Sequence, residues 1–268
     1  MLNNAWPSNI WHLYDYFWDP SPSYFAVKNV NRKIHFSYNY QNNGIYISNN
    51  DYSDLICNFE YNIIIINGND CKTMLLNKID ILNTTIKADS NILIYTIDFS
   101  KYDNDVFIIY LESKQNKDSI ITNTYFISKR MDEMDYSKST YYNLPVTYYA
   151  NLTSLEKFLS KEFQIDLDIN IKTETKLEND IKKNKVIVEI KNNNNIMALF
   201  IECRLYEKES KNLINPVIWS DNFVSIKSKN DVIYRIEGKF SNDFGDSFLE
   251  ISGFNINTKN YDLIFKNI

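Results

Sequence analysis

Apolar and polar residues alternate with a period of two through most of this chain. Ile34-His35-Phe36-Ser37-Tyr38-Asn39-Tyr40 places one set of side chains on each face of an extended strand. Asn42-Asn43-Gly44 supplies a tight turn and Ile45-Tyr46-Ile47-Ser48 returns, so pattern and turn chemistry together predict a β-hairpin. Further strands are expected at 55–61, 63–66, 74–76, 79–82, 92–99, 106–112 and 122–128, separated by Asn, Asp, Gly and Ser. After a polar, aromatic connector (132–145) and a brief helical turn (155–159), the pattern resumes at 165–175, 185–191, 196–206, 215–219, 223–226, 231–240, 248–254 and 261–265, with a polar loop at 242–246. Short strands at this spacing are what a β-sandwich gives, and the strand–helix alternation of a nucleotide-binding sheet is missing. The pattern therefore predicts two antiparallel sandwiches in series and no long amphipathic helix.

The opening of the chain breaks this pattern. Trp6, Trp11, Tyr14, Tyr16, Phe17, Trp18, Tyr24 and Phe25 crowd into residues 1–25, and of the four tryptophans only Trp219 lies elsewhere. A dense aromatic block at one end of a strand-rich chain reads as a remnant of something larger, and stranded there it is expected to expose a large apolar surface. Asn3-Asn4-Ala5-Trp6-Pro7-Ser8 sets amides beside an indole. A flat aromatic face packs on a sugar ring while amides bond its hydroxyls, so sugar contact is one reading and hydrophobic core the other.

Composition narrows the function classes. At 268 residues with 44% hydrophobic side chains, the chain can fill the cores of two ordinary domains. A mixed net charge of −5 offers no basic stripe for nucleic acid. No 18-residue apolar run spans a membrane, and no basic start followed by an apolar stretch marks a signal peptide; localisation stays open. Cys57, Cys71 and Cys203 are too few for a disulfide scaffold, although Cys57 and Cys71 could close across a hairpin. Asn83-Thr84-Thr85 and Asn151-Leu152-Thr153 are glycosylation sequons. His12 and His35 are the only histidines, and both read as packing residues. No zinc spacing, serine relay, calcium ladder or glycine-rich phosphate loop is present, so no metal or cofactor is expected. The run Asn192 to Asn195 reads as a solvated turn, and Asp221-Asn222 as a turn stabilised by its own side chains.

Several motifs resemble one family. The run from Met1 to Tyr16, MLNNAWPSNIWHLYDY, resembles the end of the catalytic barrel in exo-β-D-glucosaminidases, members of the glycoside hydrolase family 2 group that also holds β-mannosidases. Ser23 to Lys28 looks like that family's last barrel helix, and Ile34 to Tyr40 like the entry to the following immunoglobulin-like domain. Tyr125 to Lys129, Asn215 to Asn222 and Ile251 to Asn255 resemble later markers in the same order. The resemblance implies an all-β chain: two tandem immunoglobulin-like β-sandwiches, 32–134 and 135–268, preceded at 1–31 by a short remnant of a (β/α)8 barrel. It implies a retaining exo-glycosidase that releases terminal β-linked glucosamine from chitosan-like chains, with a β-mannosidase as the near alternative. Two glutamates about 5 Å apart do that chemistry, from barrel strands expected before Met1, so no catalytic residue is carried over. Asn3, Asn4 and Trp6 match the family's pattern where the last strand opens on the sugar pocket, which makes them the candidate substrate-binding residues. Trp11 and Tyr14 are better read as packing. The chain by itself is expected to be non-catalytic, and the intact enzyme extracellular.

Two other classes fit the residues less well. A tandem-sandwich carbohydrate-binding module with no enzyme attached would need an exposed aromatic row, for which Tyr141-Tyr142 and Tyr148-Tyr149 are the hints. A purely structural partner would dock on a separately encoded barrel chain.

Overall fold

The computed structural model describes residues 12–265 except 68–69, 72, 103–104, 117–118, 141–144, 180, 230–232 and 242–245. A short helix, α1 (Pro22–Val30), comes first. Seven strands follow: β1 (Ile34–Asn39), β2 (Gly44–Asn49), β3 (Leu55–Asn67), β4 (Thr73–Ile86), β5 (Ser90–Thr96), β6 (Val106–Asn116) and β7 (Ser119–Ser128). They form a three-stranded sheet β1-β2-β5 and a four-stranded sheet β4-β3-β6-β7. The period-two pattern explains the stacking of these sheets. Phe36, Tyr38, Ile45 and Ile47 from one sheet meet Ile63, Ile65, Phe107 and Ile109 from the other in one buried cluster. The expected hairpin forms in register, Phe36 opposite Ile47 and Tyr38 opposite Ile45, with Asn43 left-handed at φ 53° in the turn.

The connector folds into a hairpin of β8 (Glu133–Asp135) and β9 (Val146–Tyr148), and residues Thr153–Leu159 make a 3-10 turn where a helical turn was expected. The second set of strands is β10 (Asp168–Glu178), β11 (Ile181–Lys191), β12 (Ala198–Glu207), β13 (Ile218–Trp219), β14 (Val224–Ile226), β15 (Tyr234–Phe240), β16 (Ser247–Gly253) and β17 (Ile256–Leu263). Their sheets are β10-β11-β15-β13 and β14-β12-β16-β17. With β13 set aside as an added edge strand, the second order repeats the first strand for strand, the antiparallel layout of an immunoglobulin-like sandwich.

One buried asparagine shows how far the repetition goes. Asn49 ends β2, and its side-chain amide donates to the carbonyls of Ser53, Ile86 and Lys87 while its Oδ1 accepts from Asp51 N. Asn192 follows β11 and does the same with Ile196, Ile226, Lys227 and Asn194 N. Each ties the end of one sheet to the strand pair of the other, through Leu55↔Ile86 in the first and Ala198↔Ile226 in the second. The return residues Asp89 and Lys229 are both left-handed, at φ 44° and 48°. Asn192 is fully buried, which corrects its reading as part of a solvated turn. Only an amide can both donate to several carbonyls and accept from a backbone N–H at such a corner.

Other expectations also change. The segments 55–61 and 63–66 are one strand, as are 74–76 and 79–82. The polar interruption Asn62 is a buried ladder residue whose amide donates to Glu112 at 3.2 Å. Cys71 is a buried free thiol and does not pair with Cys57. Cys57 lies near the start of β3 and Cys71 just past its end, some ten residues of extended chain apart, or roughly 33 Å, far beyond disulfide reach. His35 is buried in β1, as the packing reading requires.

The two sandwiches share a further cluster. Ile64, Ile66, Val106, Ile108 and Tyr110 on the outer face of the first meet Leu155 and Phe158 of the connector and Met197 and Leu199 of the second. Phe126 stacks on Phe200 with centroids 5.3 Å apart. At this junction Glu112 is fully buried and pairs with Lys227 Nζ at 2.6 Å, with Asn62 and Tyr110 as additional donors.

Candidate functional site: the aromatic segment on the last sandwich

Asn3, Asn4 and Trp6, together with Trp11, lie outside the described residues. The described part of the aromatic segment, 12–30, adds no strand to the adjoining sandwich, whose Asn50 Nδ2 reaches Val30 O at 3.4 Å. It docks on the second one, through contacts between residues 185 (Asp19 and Arg204) to 198 (Phe17 and Asn215) apart in sequence. Local chemistry shapes it first. Asp15 Oδ1 accepts from Phe17 N at 2.8 Å and Asp19 N at 2.9 Å, closing a tight loop in which Trp18 is left-handed at φ 66°. Ser21 N and Oγ both donate to Leu13 O, and Pro22 opens α1 where its missing N–H costs nothing.

Tertiary contacts then fix the segment. Phe25 is 2% exposed, belongs to the second sandwich's core and lies 5.9 Å from the Phe223 ring. Tyr24 packs edge-on against Phe25, and Tyr14 against Tyr24, with centroids near 5 Å. Lys28 Nζ donates to the carbonyls of Trp219 and Ser220 at 2.8 and 2.7 Å. Arg32 reaches Asp221 at 3.3 Å, and Asp221 also accepts from Tyr234 OH at 2.8 Å. Asp221 does cap Asn222 N, as expected of a self-stabilised turn. Both residues reach further: Asn222 bonds the N–H and carbonyl of Cys203 on β12, and Asp221 is the anion on which the linker after α1 is anchored.

At the far end of the segment, Arg204 lies between two carboxylates, 2.7 Å from Glu202 and 3.4 Å from Asp19. Burial raises the pKa of both acids, with Arg204 pulling each back down. For Arg204 burial acts against the charge, and Glu202 and Asp19 outweigh it, holding the guanidinium protonated. One guanidinium between two carboxylates attracts both while offsetting the charge of one, so this cluster is an ion-pair fastening rather than an acid and base held at different pKa values. Asn215 Nδ2 donates a hydrogen bond to Phe17 O at 3.2 Å. The loop tip leaves Tyr16, Phe17 and Trp18 at 44, 62 and 51% exposed. For residues 12–30 the expected exposed apolar surface is thus reduced: Phe25 is buried in the second sandwich, while Tyr16, Phe17 and Trp18 at the loop tip and Val27 and Val30 on the outer face of α1 stay exposed. Among the described residues no group of three metal-ligating side chains comes together.

Comparison with known proteins places this arrangement. Residues 141–256 match the family model of the exo-β-D-glucosaminidase Ig-fold domain. An exo-β-D-glucosaminidase of Arthroderma benhamiae is 29% identical over 97% of this chain and 27% of its own length. The chain is similar to a part of exo-β-D-glucosaminidases. It spans about a quarter of the length of that relative. In fold it is similar to the exo-chitosanase of Amycolatopsis orientalis, with a TM-score of 0.78 at 16% identity over 98% of this chain and 30% of that one. A β-D-mannosidase from Dictyoglomus thermophilum aligns with a TM-score of 0.57 at 19% identity, covering 95% of this chain and 26% of that one. The all-β, immunoglobulin-like architecture is therefore the one these glycosidases carry.

Sequence reasoning singled out the aromatic segment but not its partner surface. Arg204 and Glu202 carry no local motif, and the motifs that hold Lys28 and Asp221 do not say that the two stretches meet. A basic residue in the last turn of a helix is ordinary by itself, and its acceptors lie on the far side of the sequence.

Proposed function

We propose that this chain is the non-catalytic carboxy-terminal scaffold of a retaining exo-glycosidase that releases terminal β-linked glucosamine from chitosan-like oligosaccharides. The observation that carries this reading is a match to an exo-β-D-glucosaminidase along nearly the whole chain. The docking of residues 12–30 on the second sandwich supports it. A segment anchored by Phe25, Lys28 and the Asp221 network would hold the end of a barrel in a fixed relation to the last sandwich, and a fixed relation is what an exo-acting pocket needs. In this reading 1–31 closes the barrel, 32–134 and 135–268 are the two sandwiches, and Asn3, Asn4 and Trp6 line the sugar pocket. The reactive carboxyls belong to the barrel, and a β-mannosidase scaffold is the alternative.

The test is a chimera in which this chain replaces the matching part of the Arthroderma benhamiae relative, assayed on aryl β-glucosaminide and aryl β-mannoside beside the 268-residue chain alone. The chimera is expected to hydrolyse the glucosaminide and the isolated chain neither substrate. A folded chimera without turnover, or turnover by the isolated chain, would overturn the proposal.

A further inference from the structure

The cleft where the connector hairpin meets the first sandwich has a volume of about 710 Å³ and a lining that the scaffold reading leaves unused. Its walls come from the end of β7, the start of β6 and the segment after β9. The adjacent tyrosines Tyr148 and Tyr149 sit at the end of an extended segment, so their side chains point to opposite sides. Tyr148 is held on the hairpin, its hydroxyl bonded to Lys138 and Asp135 and its ring under the Lys138 ammonium. Tyr149 therefore faces the cleft, 76% exposed, with no aromatic neighbour among the described residues. Around it stand Asn151, Arg130 and Asp105, all exposed lining residues.

These groups are chemically open. Asn151 Oδ1 accepts from the N–H and hydroxyl of Thr153, which fixes the amide and leaves its NH₂ without a partner. Among the described residues the side chains of Arg130 and Asp105 make no hydrogen bond or ion pair. Ser154, also on the wall, has a buried Oγ with no hydrogen-bond partner, and an unbonded buried hydroxyl costs free energy until something bonds it. Lys129, in contrast, is committed: its ammonium donates to the Tyr102 carbonyl and lies over the Phe107 ring.

We propose that this cleft is a glycan-binding site taking a neutral pyranose ring, with Tyr149 as the stacking platform and Asn151, Arg130, Asp105 and Ser154 as partners for its hydroxyls. An exposed phenol face beside a fixed amide donor and unpaired groups of both charges suits a ring that is apolar on one face and hydroxylated at its rim. Against the single carboxylate of Asp105, Arg130 and Lys129 give the lining a net positive charge, which disfavours a sugar carrying a free ammonium. The proposal stands on the cleft alone and does not require the glycosidase reading.

The test uses the full chain produced in a bacterial host, titrated by calorimetry with N-acetylchitohexaose, cellohexaose and fully deacetylated chitohexaose. A neutral hexaose is expected to bind, with Tyr149→Ala weakening it about tenfold, the scale of one aromatic contact. Tyr149→Phe should retain binding, and Asn151→Ala should weaken it at an unchanged melting temperature. No binding by either neutral hexaose, equal binding by Tyr149→Ala, or binding by the deacetylated hexaose only would each overturn the assignment. These results leave the chimera's turnover unaffected, so this proposal and the scaffold reading fail separately.

Discussion

Replacing Lys227 with methionine should do more damage than its partly exposed side chain indicates. Glu112 is fully buried at the junction of the two sandwiches, and Lys227 Nζ lies 2.6 Å from its Oε1. At that distance, and with an effective dielectric of about 20, the attraction is roughly 6 kcal/mol before desolvation is subtracted. Removing one partner of such a pair typically costs about 3–5 kcal/mol, because the other charge stays behind. Neutral donors stay in place, among them Asn62 Nδ2 at 3.2 Å and Tyr110 OH at 3.4 Å, which places Lys227→Met near the low end, about 3 kcal/mol. Replacing both charges, as Glu112→Leu with Lys227→Met, should recover most of that loss because no charge is left buried. The assay is guanidinium unfolding of the wild type, the two single variants and the double variant, read as a double-mutant cycle. A cost below about 1 kcal/mol for Lys227→Met would refute the reasoning, as would a double variant no more stable than the sum of the singles.

Three further outcomes follow from the same structure. The pKa of His35 is lowered by burial and by Arg32, so the unfolded chain takes up that proton first. Stability should therefore fall as pH drops below about 6.5 toward the lowered folded value, and His35→Phe should remove that part of the slope in pH-dependent denaturation. Asn192→Asp and Asn49→Asp each lose three donated bonds and bury a charge, so each should destabilise by about 3 kcal/mol or more in chemical denaturation, and alike because the two sites are equivalent. Gly238→Ala would place a methyl 2.6 Å from the Trp219 ring, which is 5% exposed and cannot retreat freely; a loss of about 1–3 kcal/mol is expected from thermal or chemical melts.

The strand pattern was legible because the period of two records burial directly. Phe36, Tyr38, Ile45 and Ile47 fall on the inner face as their spacing demands. Strand limits were less so. Asn62 looks like a break and is instead a buried partner for Glu112, a role set by a strand 50 residues away. Asn192 misled for the same reason: its bonds to the carbonyls of Ile226 and Lys227 cross more than 30 residues, and the neighbouring asparagines look like solvated turn. At the candidate site, composition marked the aromatic segment as foreign to the strands that follow. It could not say that Phe25 fills the second sandwich, because Phe223 and the carbonyls of Trp219 and Ser220 lie nearly 200 residues on. Residues brought together by topology leave no spacing to read.

The helix after the aromatic block belongs physically to the last sandwich, through Phe25, Lys28 and the Asp221 network. Native-state hydrogen exchange of the α1 amides tests it most directly. The account predicts that residues 26–30 exchange together with β14, and that Asp221→Asn and Lys28→Met speed both. Exchange of those amides at the rate of an unstructured peptide, while β12 and β16 stay protected, would contradict it.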